Sequence, residues 1–218
     1  MYRPGGAQAP CKAPARRLRG ADKLAYTLGV QMIFQDPQAS LNPRQRLRQI
    51  LGESLKVHKL APSAEIPARI DQALTEVGLD TEYRDRFPHQ ISGGQRQRIG
   101  IARALALKPS VIVCDEAVAA LDVSIQAQVL DLLRELRREL ALTYLFIGHD
   151  LAVIESLCDR IAVMEQGRIV DVFDRDALRE SGRHPATRRL LDAVLPVSVG
   201  ARLGRRTAIS VSDQRAAA

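Results

Sequence analysis

The 218-residue chain is poor in the residues that build several common kinds of site. Tryptophan is absent and aromatic residues make up only 4%, which argues against a surface that stacks nucleic-acid bases. The three cysteines (Cys11, Cys114 and Cys158) are scattered, which argues against a disulfide framework or a zinc site and fits a reducing compartment. No apolar run approaches the roughly 20 residues of a membrane-spanning helix. Also missing is G-x-x-x-x-G-K-S/T, the loop that cradles phosphates in many nucleotide-binding proteins.

The net charge of +7 arises at the two ends of the chain. Residues 1–20 contain five basic residues and no acid, and residues 201–218 contain four arginines and one aspartate. Basic ends are more often solvated than bound, so we predict no nucleic-acid partner. Residues 1–27 show neither a helical nor a strand period and are predicted to be a disordered or remnant arm. Residues 197–218 are predicted to be a flexible tail.

Between these ends, short apolar strands alternate with amphipathic helical patterns, which predicts an α/β fold. The predicted α/β core comprises residues 28–44 and 108–173, and a helical subdomain comprises residues 45–107. Within the core, Gln166-Gly167 is a predicted hairpin turn in which Gly supplies a positive φ. Two C-terminal helices are predicted over residues 174–196. The predicted strands cover residues 28–34, 111–114, 143–147, 160–165 and 168–172.

The first motif is a glycine pair at the start of a predicted helix. Residues 91–98 read ISGGQRQR. Ser92 and Gln95 fit the S-x-x-Q capping box, in which Ser caps the helix and Gln reaches back. Gly93 and Gly94 let backbone amides approach a ligand closely, and the helix dipole favours an anion there. A phosphate is the natural occupant, and an ordinary glycine-rich helix start is the alternative.

Two further motifs follow apolar strands. The run over residues 111–114 ends in the adjacent acids Asp115 and Glu116, which strand alternation sends in opposite directions. His149 follows the next apolar run, over residues 143–147. For each of these three residues, a solvated position at the start of a loop is the alternative interpretation.

In this order and spacing, the motifs resemble the signature loop, the Walker B strand and the switch histidine of ATP-binding cassette (ABC) ATPases. The resemblance covers residues 28–195 of this chain. It implies a P-loop NTPase-like (RecA-like) core that lacks its first strands here, a helical signature subdomain, and ATP and Mg²⁺ as cofactors. It also implies a head-to-tail dimer with a second ABC ATPase subunit. Each ATP would lie between one subunit's Walker A loop and the other subunit's signature loop.

The resemblance implies a role for each candidate residue. Glu116 would orient or deprotonate the attacking water, and His149 would contact the γ-phosphate. Asp115 would hold the Mg²⁺ shell through water, and Gln35, after the first strand, would complete that shell. Asp122 would lie in the loop that crosses to the partner, with helix capping as a second, compatible role. The nucleotide-contacting residues would then be Gln35, Ser92, Gly93, Gly94, Gln95 and Asp122.

A narrower resemblance, to ATP-binding subunits of oligopeptide/dipeptide importers, rests on three stretches. They read FQDP and SLNPR within residues 34–44, LDVSIQAQV at 121–129 and HPATR at 184–188. Nickel importers share much of this pattern and remain an alternative. The resemblance implies coupling of ATP hydrolysis to peptide uptake. It also implies transmembrane permease subunits, an indirect solute-binding partner, and a peripheral location on the cytoplasmic side of the membrane.

The chain departs from the family pattern in ways that bear on activity. The adenine-stacking loop, the Walker A strand and its helix have no counterpart, and Ala117 and Ala119 replace the usual Pro and Ser. We therefore expect the chain alone to hydrolyse ATP barely or not at all. We also expect uncovered apolar surface and an unpaired sheet edge that promote aggregation. Three interpretations follow: a fragment whose start lies upstream of Met1, a decayed gene, or a subunit that lends only its signature loop.

Two other classes of protein share part of this pattern. ABC ATPases that handle nucleic acids insert long coiled coils or zinc-binding cysteine pairs before the signature, and residues 35–92 contain neither. A non-catalytic interaction module would have no chemical need for Asp115, Glu116 and His149 together. The importer ATPase is therefore the favoured function.

Overall fold

The computed structural model describes residues 18–180 and 183–193. Its central feature is a parallel sheet in the order β1 (Val30–Ile33), β2 (Val111–Asp115) and β3 (Thr143–Ile147). Helices connect the strands, as parallel pairing requires. The predicted α/β fold class is confirmed. The strand predicted over residues 28–34 is longer than β1, because residues 28 and 29 belong to the preceding helix.

The two faces of the sheet differ in exposure. Ile33 pairs with Cys114 on one face, and both side chains are buried. On the other face Met32 and Leu145, both in register with β2, are 36% and 56% exposed. Ile147, which points to the same side of β3 as Leu145, is also exposed. Within the described residues, β1 and β3 form the edges of this sheet, so the expected open edge and apolar surface are both present.

The residues between β1 and β2 form helices around an apolar core that they share with the sheet. Leu51, Leu74 and Ile99 are fully buried in this core. Three long helices lie within the predicted helical subdomain, and Gly78, just after the second of them, has a φ of +69°. These elements are α2 (Pro37–Ser40), α3 (Leu47–Val57), α4 (Ile66–Glu76) and α5 (Gly93–Leu105), with 3₁₀ turns at Thr81–Asp85 and Pro88–Gln90.

The second half of the chain continues with α6 (Val123–Leu140) and α7 (Leu151–Leu157) around β3, followed by an antiparallel hairpin. In the hairpin turn Gln166 and Gly167 have φ values of 49° and 77°, so the predicted turn is confirmed. Among the described helices, none has the length and hydropathy for a membrane crossing. The remaining elements are β4 (Arg160–Glu165), β5 (Arg168–Asp174), a 3₁₀ turn at Arg175–Ala177 and α8 (Pro185–Ala193).

Two local predictions need correction. The predicted arm over residues 1–27 includes part of a helix, α1 (Gly20–Gly29). This helix buries no side chain, so the sequence shows no apolar stripe from which it could be predicted. Residues with high helix propensity, such as Leu24, stabilise it locally. Asp122 occupies the N-cap position of α6, but its side chain makes no capping hydrogen bond. Residues 1–17 and the predicted tail at 197–218 lie outside the described residues.

Asp171 of β5 holds α8 against the hairpin. Its carboxylate accepts hydrogen bonds from Thr187 Oγ1 at 2.9 Å and from the His184 N–H at 3.2 Å, and it pairs with Arg183 at 3.5 Å. Desolvation raises the pKa of Asp171, but these hydrogen bonds and Arg183 outweigh it, so the pKa is lowered from 3.8. The contribution of Asp171 to stability is therefore present above pH 3.8 and is lost as the pH falls through the lowered pKa.

Asp171→Asn is expected to loosen α8 at neutral pH, because the charge that attracts Arg183 is lost. Limited proteolysis should then cleave the segment around residues 180–193 several-fold faster. Asp174→Asn is the matched control: Asp174 lies on the same strand, is mostly exposed, and has only a 3.7 Å contact with Arg160. Equal cleavage rates for the two variants would contradict this role of Asp171.

Candidate functional site

Three of the candidate residues meet where the carboxyl ends of the parallel strands lie side by side. Gln35 follows β1, Glu116 follows β2 and His149 follows β3. Gln35 Nε2 donates a hydrogen bond to Glu116 Oε2 at 2.6 Å, and His149 Nδ1 lies 3.0 Å from Glu116 Oε1. Parallel pairing thus unites residues that are 81 and 33 positions apart in the chain. We call these three residues the carboxylate cluster.

The backbone of Glu116 directs its side chain into the cluster. Its φ is +45°, a left-handed conformation that is uncommon outside glycine and that the surrounding structure must hold. The Glu116 N–H donates to the Ile147 carbonyl at 2.9 Å, which ties this turn to the end of β3. The Glu116 side chain is 27% exposed and that of His149 is 73% exposed. Contacts with Gln35 and His149 therefore hold both carboxylate oxygens of Glu116, while the His149 side chain is open to solvent.

Asp115 has different surroundings. It lines a cavity of about 860 Å³ together with Gln35, Tyr26 and Phe34. Mg²⁺ prefers oxygen ligands and is commonly held by one or two carboxylates plus phosphate oxygens. Within the described part of the chain, no group of three or more His, Cys, Asp or Glu side chains could hold a metal. Asp115 and Gln35 each offer a side-chain oxygen to this cavity, and a Mg²⁺ ion held there would need further oxygen ligands.

The Ser92–Gln95 segment, which we call the signature tip, forms the predicted capping box. The Gln95 N–H donates to Ser92 Oγ at 3.2 Å, and the Ser92 N–H donates to Gln95 Oε1 at 2.9 Å. Ser92 and Gly93 are exposed, and nothing lies within 4 Å of a Cβ built on Gly93. The first turn of the 13-residue helix α5 is therefore open to an anion from solvent.

The signature tip lies against the start of α6. A Cβ built on Gly94 would lie 2.6 Å from Ile125 Cγ2, so only glycine allows this approach. Asp122 begins α6 three residues before Ile125, which places the tip and Asp122 on adjacent helix starts. The described hydrogen bonds and ion pairs include none between the tip and the carboxylate cluster. The candidate residues thus form two groups, as expected if each group serves a different nucleotide in a head-to-tail pair.

Sequence reasoning missed two residues of this region. Tyr83 accepts a hydrogen bond from Gln95 Nε2 at 2.8 Å, and Ile125 fills the space that Gly94 leaves. Neither belongs to a motif of its own, although Ile125 lies in the LDVSIQAQV stretch. The apolar face of α6 was the signal that could have placed Ile125 inward, and no spacing rule links Tyr83 to Gln95.

A three-stranded parallel sheet with polar residues gathered beyond its strand ends defines an α/β protein of the P-loop NTPase-like class. Two solved structures share this fold. One is CbiO1 from Clostridium perfringens, described as part of the ABC transporter complex CbiONQ (TM-score 0.65, 28% identity, 79% of this chain and 66% of that one). The other is the ATP-binding cassette MJ0796, a dimer bound to ADP and Pi (TM-score 0.62, 25% identity, 73% of this chain and 68% of that one).

Residues 13–119 match the family model described as ABC transporter, and this part of the chain is similar to an ABC transporter domain. It is 52% identical over 172 residues to the oligopeptide transport ATP-binding protein OppF of Bacillus subtilis, covering 78% of this chain and 56% of OppF. It is 53% identical over 165 residues to the glutathione import ATP-binding protein GsiA of Escherichia coli K12, covering 76% of this chain and 26% of GsiA. The chain thus spans little more than half the length of OppF.

Proposed function

We propose that the chain acts as an ATP-binding subunit of an ABC importer and couples ATP binding and hydrolysis to the uptake of peptides. The observation that carries this proposal is the convergence of Gln35, Glu116 and His149 beyond the sheet. The family binds ATP, generally with Mg²⁺. The similarity to OppF, an oligopeptide transport protein, and GsiA, a glutathione import protein, supports a peptide-like solute rather than nickel.

The carboxylate cluster supplies the groups that hydrolysis needs. When bound, Mg²⁺–ATP supplies the phosphoryl group. The Glu116 carboxylate orients a water molecule or takes its proton, and Gln35 Nε2 holds that carboxylate in place. His149 uses Nδ1 toward Glu116, which leaves Nε2 as the ring atom for a phosphate oxygen. Asp115 and Gln35 are the residues that would hold Mg²⁺.

The signature tip serves the second nucleotide of the pair. Its exposed amides favour an anion, whereas no segment of the sequence provides the phosphate cradle G-x-x-x-x-G-K-S/T. A second ABC ATPase subunit therefore completes the site in this proposal. Permease subunits would hold the pair at the cytoplasmic side of the membrane, and the solute-binding protein would act indirectly. In a second candidate function, the exposed signature tip is all that the chain contributes, and the partner subunit alone hydrolyses ATP.

Steady-state ATP turnover separates the two candidates. The purified chain with Mg²⁺–ATP is expected to show no turnover beyond that of Glu116→Gln. Mixed with an ATPase subunit that has an intact phosphate-binding loop, a chain that hydrolyses ATP should give turnover that Glu116→Gln lowers by about 100-fold or more, whereas a chain that lends only its signature tip should give turnover that does not depend on Glu116. Glu139→Gln, which removes an exposed acid at the far end of α6, is the matched control.

Three other results would redirect the interpretation. Robust turnover by the chain alone that depends on Glu116 would overturn the need for a partner's loop. ATP-dependent association of the mixture without any effect of Glu116→Gln would favour the signature-donor role. No nucleotide-dependent association under either condition would refute both candidates.

A further inference from the structure

The side-chain amide of Gln95 is used at both ends within the chain. Oε1 accepts from the Ser92 N–H at 2.9 Å, and Nε2 donates to the Tyr83 hydroxyl at 2.8 Å. Because the Ser92 N–H can only donate, it fixes which end of the amide faces the backbone and directs Nε2 toward Tyr83. Both ends of the Gln95 amide therefore support the shape of the signature tip.

The Tyr83 contact is particular to this helix start. Gln49 and Gln90 make the same backward hydrogen bond at two other helix starts, to the N–H groups of Arg46 and Phe87, both at 2.8 Å. Of the three glutamines, only Gln95 has a described partner for its amide nitrogen. The capping box alone therefore does not require Tyr83.

Tyr83 is itself held firmly by the helical segment. Its ring packs against the apolar core, and the Arg86 guanidinium lies 4.2 Å from the ring centroid. The next residue, Arg84, binds both carboxylate oxygens of Asp71 on α4, at 2.9 and 2.7 Å. The Leu47 N–H of α3 donates to the Arg86 carbonyl at 2.9 Å. Tyr83 is thus attached to α3 and α4 and offers a fixed hydroxyl to α5.

We infer that Tyr83 is a positioning residue for the signature tip, acting through the Gln95 side chain. Its hydroxyl fixes the rotamer of Gln95, and Gln95 in turn fixes the Ser92 backbone that begins α5. A displacement of α3 or α4 would then move the tip through one hydrogen bond. This inference rests on the proposed function of the tip as the group that faces a nucleotide.

Hydrogen exchange of the full chain tests the contact without any nucleotide. Tyr83→Phe removes only the hydroxyl and is expected to speed exchange of the Ser92, Gln95 and Arg96 amides about five- to tenfold, as for the loss of one hydrogen bond. Tyr144→Phe is the matched control, since that hydroxyl donates to the Leu133 carbonyl at 3.0 Å in another part of the core. Tyr144→Phe should leave the tip unchanged. Unchanged exchange at the tip in Tyr83→Phe would overturn the inference.

Changes at Gln95 keep the test decisive if Tyr83→Phe does not fold. Gln95→Glu keeps an oxygen that can accept from the Tyr83 hydroxyl, so tip exchange should stay near that of the unmodified chain. Gln95→Met removes the contacts with both Tyr83 and the Ser92 N–H, so tip exchange should be at least as fast as in Tyr83→Phe. The double variant should add nothing further, and additive effects would show that the two side chains act independently and refute the inference.

ATP-dependent association separates failure of this inference from failure of the proposed function. With Mg²⁺–ATP and a subunit that carries the phosphate-binding loop, Tyr83→Phe is expected to weaken association about fivefold and Tyr144→Phe not at all. If the unmodified chain does not associate while tip exchange still responds to Tyr83→Phe, the proposed function fails and the positioning role stands. If the unmodified chain associates and Tyr83→Phe changes neither readout, the positioning role fails alone.

Discussion

Gly94→Ala is expected to weaken ATP-dependent association of the chain with a loop-bearing subunit by about tenfold or more, a loss equal to 1.4 kcal/mol or more. The added Cβ would lie 2.6 Å from Ile125 Cγ2. Since Ile has a stiff side chain, the start of α5 must move away from α6 to relieve the overlap. Overpacking of this kind costs about 1–3 kcal/mol, against a gain of up to about 1 kcal/mol from the better helix propensity of Ala. The net effect is a displaced signature tip.

Two variants check that the overlap is the cause. In Gly93→Ala nothing lies within 4 Å of the new Cβ, so the fold should be as stable as before or slightly more stable. Ile125→Ala removes Cγ2, and combined with Gly94→Ala it should restore association. Thermal stability and the association constant should both be measured on four proteins: the unmodified chain, Gly94→Ala, Gly93→Ala and the double variant Gly94→Ala/Ile125→Ala. Failure of Ile125→Ala to rescue Gly94→Ala would show that Gly94 acts in another way.

Polar replacement of the open edge strand is expected to reduce aggregation of the purified chain strongly. Leu145 and Ile147 are 56% and 46% exposed on β3, an edge strand among the described residues. An exposed apolar edge is a template for pairing with other chains. Leu145→Thr with Ile147→Thr places β-branched residues, which suit a strand, at both positions while reducing the apolar surface. Light scattering during concentration should then show a several-fold higher soluble limit.

Val123→Thr is the control for this prediction. Val123 is 84% exposed at the start of α6, away from the sheet edge, so its replacement removes a similar apolar area without changing the strand. Its effect on the soluble limit should be small. Equal improvement by both changes would attribute aggregation to total apolar surface rather than to β3.

The features that could be predicted from the sequence depend on interactions between residues that lie close together in the chain. The capping box of Ser92 and Gln95 joins residues three apart, so its pattern is local and complete in the sequence. The apolar strands before Glu116 and His149 are equally local, and parallel pairing then brings their ends together. Their chemical roles stay predictions.

The features that escaped prediction depend on surroundings that no short pattern encodes. The left-handed backbone of Glu116 is imposed by the end of β3, and a glutamate gives no sign of it. Tyr83 meets Gln95 only because α3, α4 and α5 pack together. Asp122 has the residue type and position of a helix cap, but its side chain accepts no capping hydrogen bond from the backbone amides of α6. In each case tertiary packing decided what local preference could not.

The thiol of Cys114 lies in the central strand, fully buried, and burial raises its pKa to about 12. At neutral pH it carries almost no thiolate, and no reagent reaches it while the strands stay joined. Its alkylation therefore requires the sheet to open. The rate of Cys114 alkylation therefore measures how often this part of the core opens, one residue before Asp115 and two before Glu116.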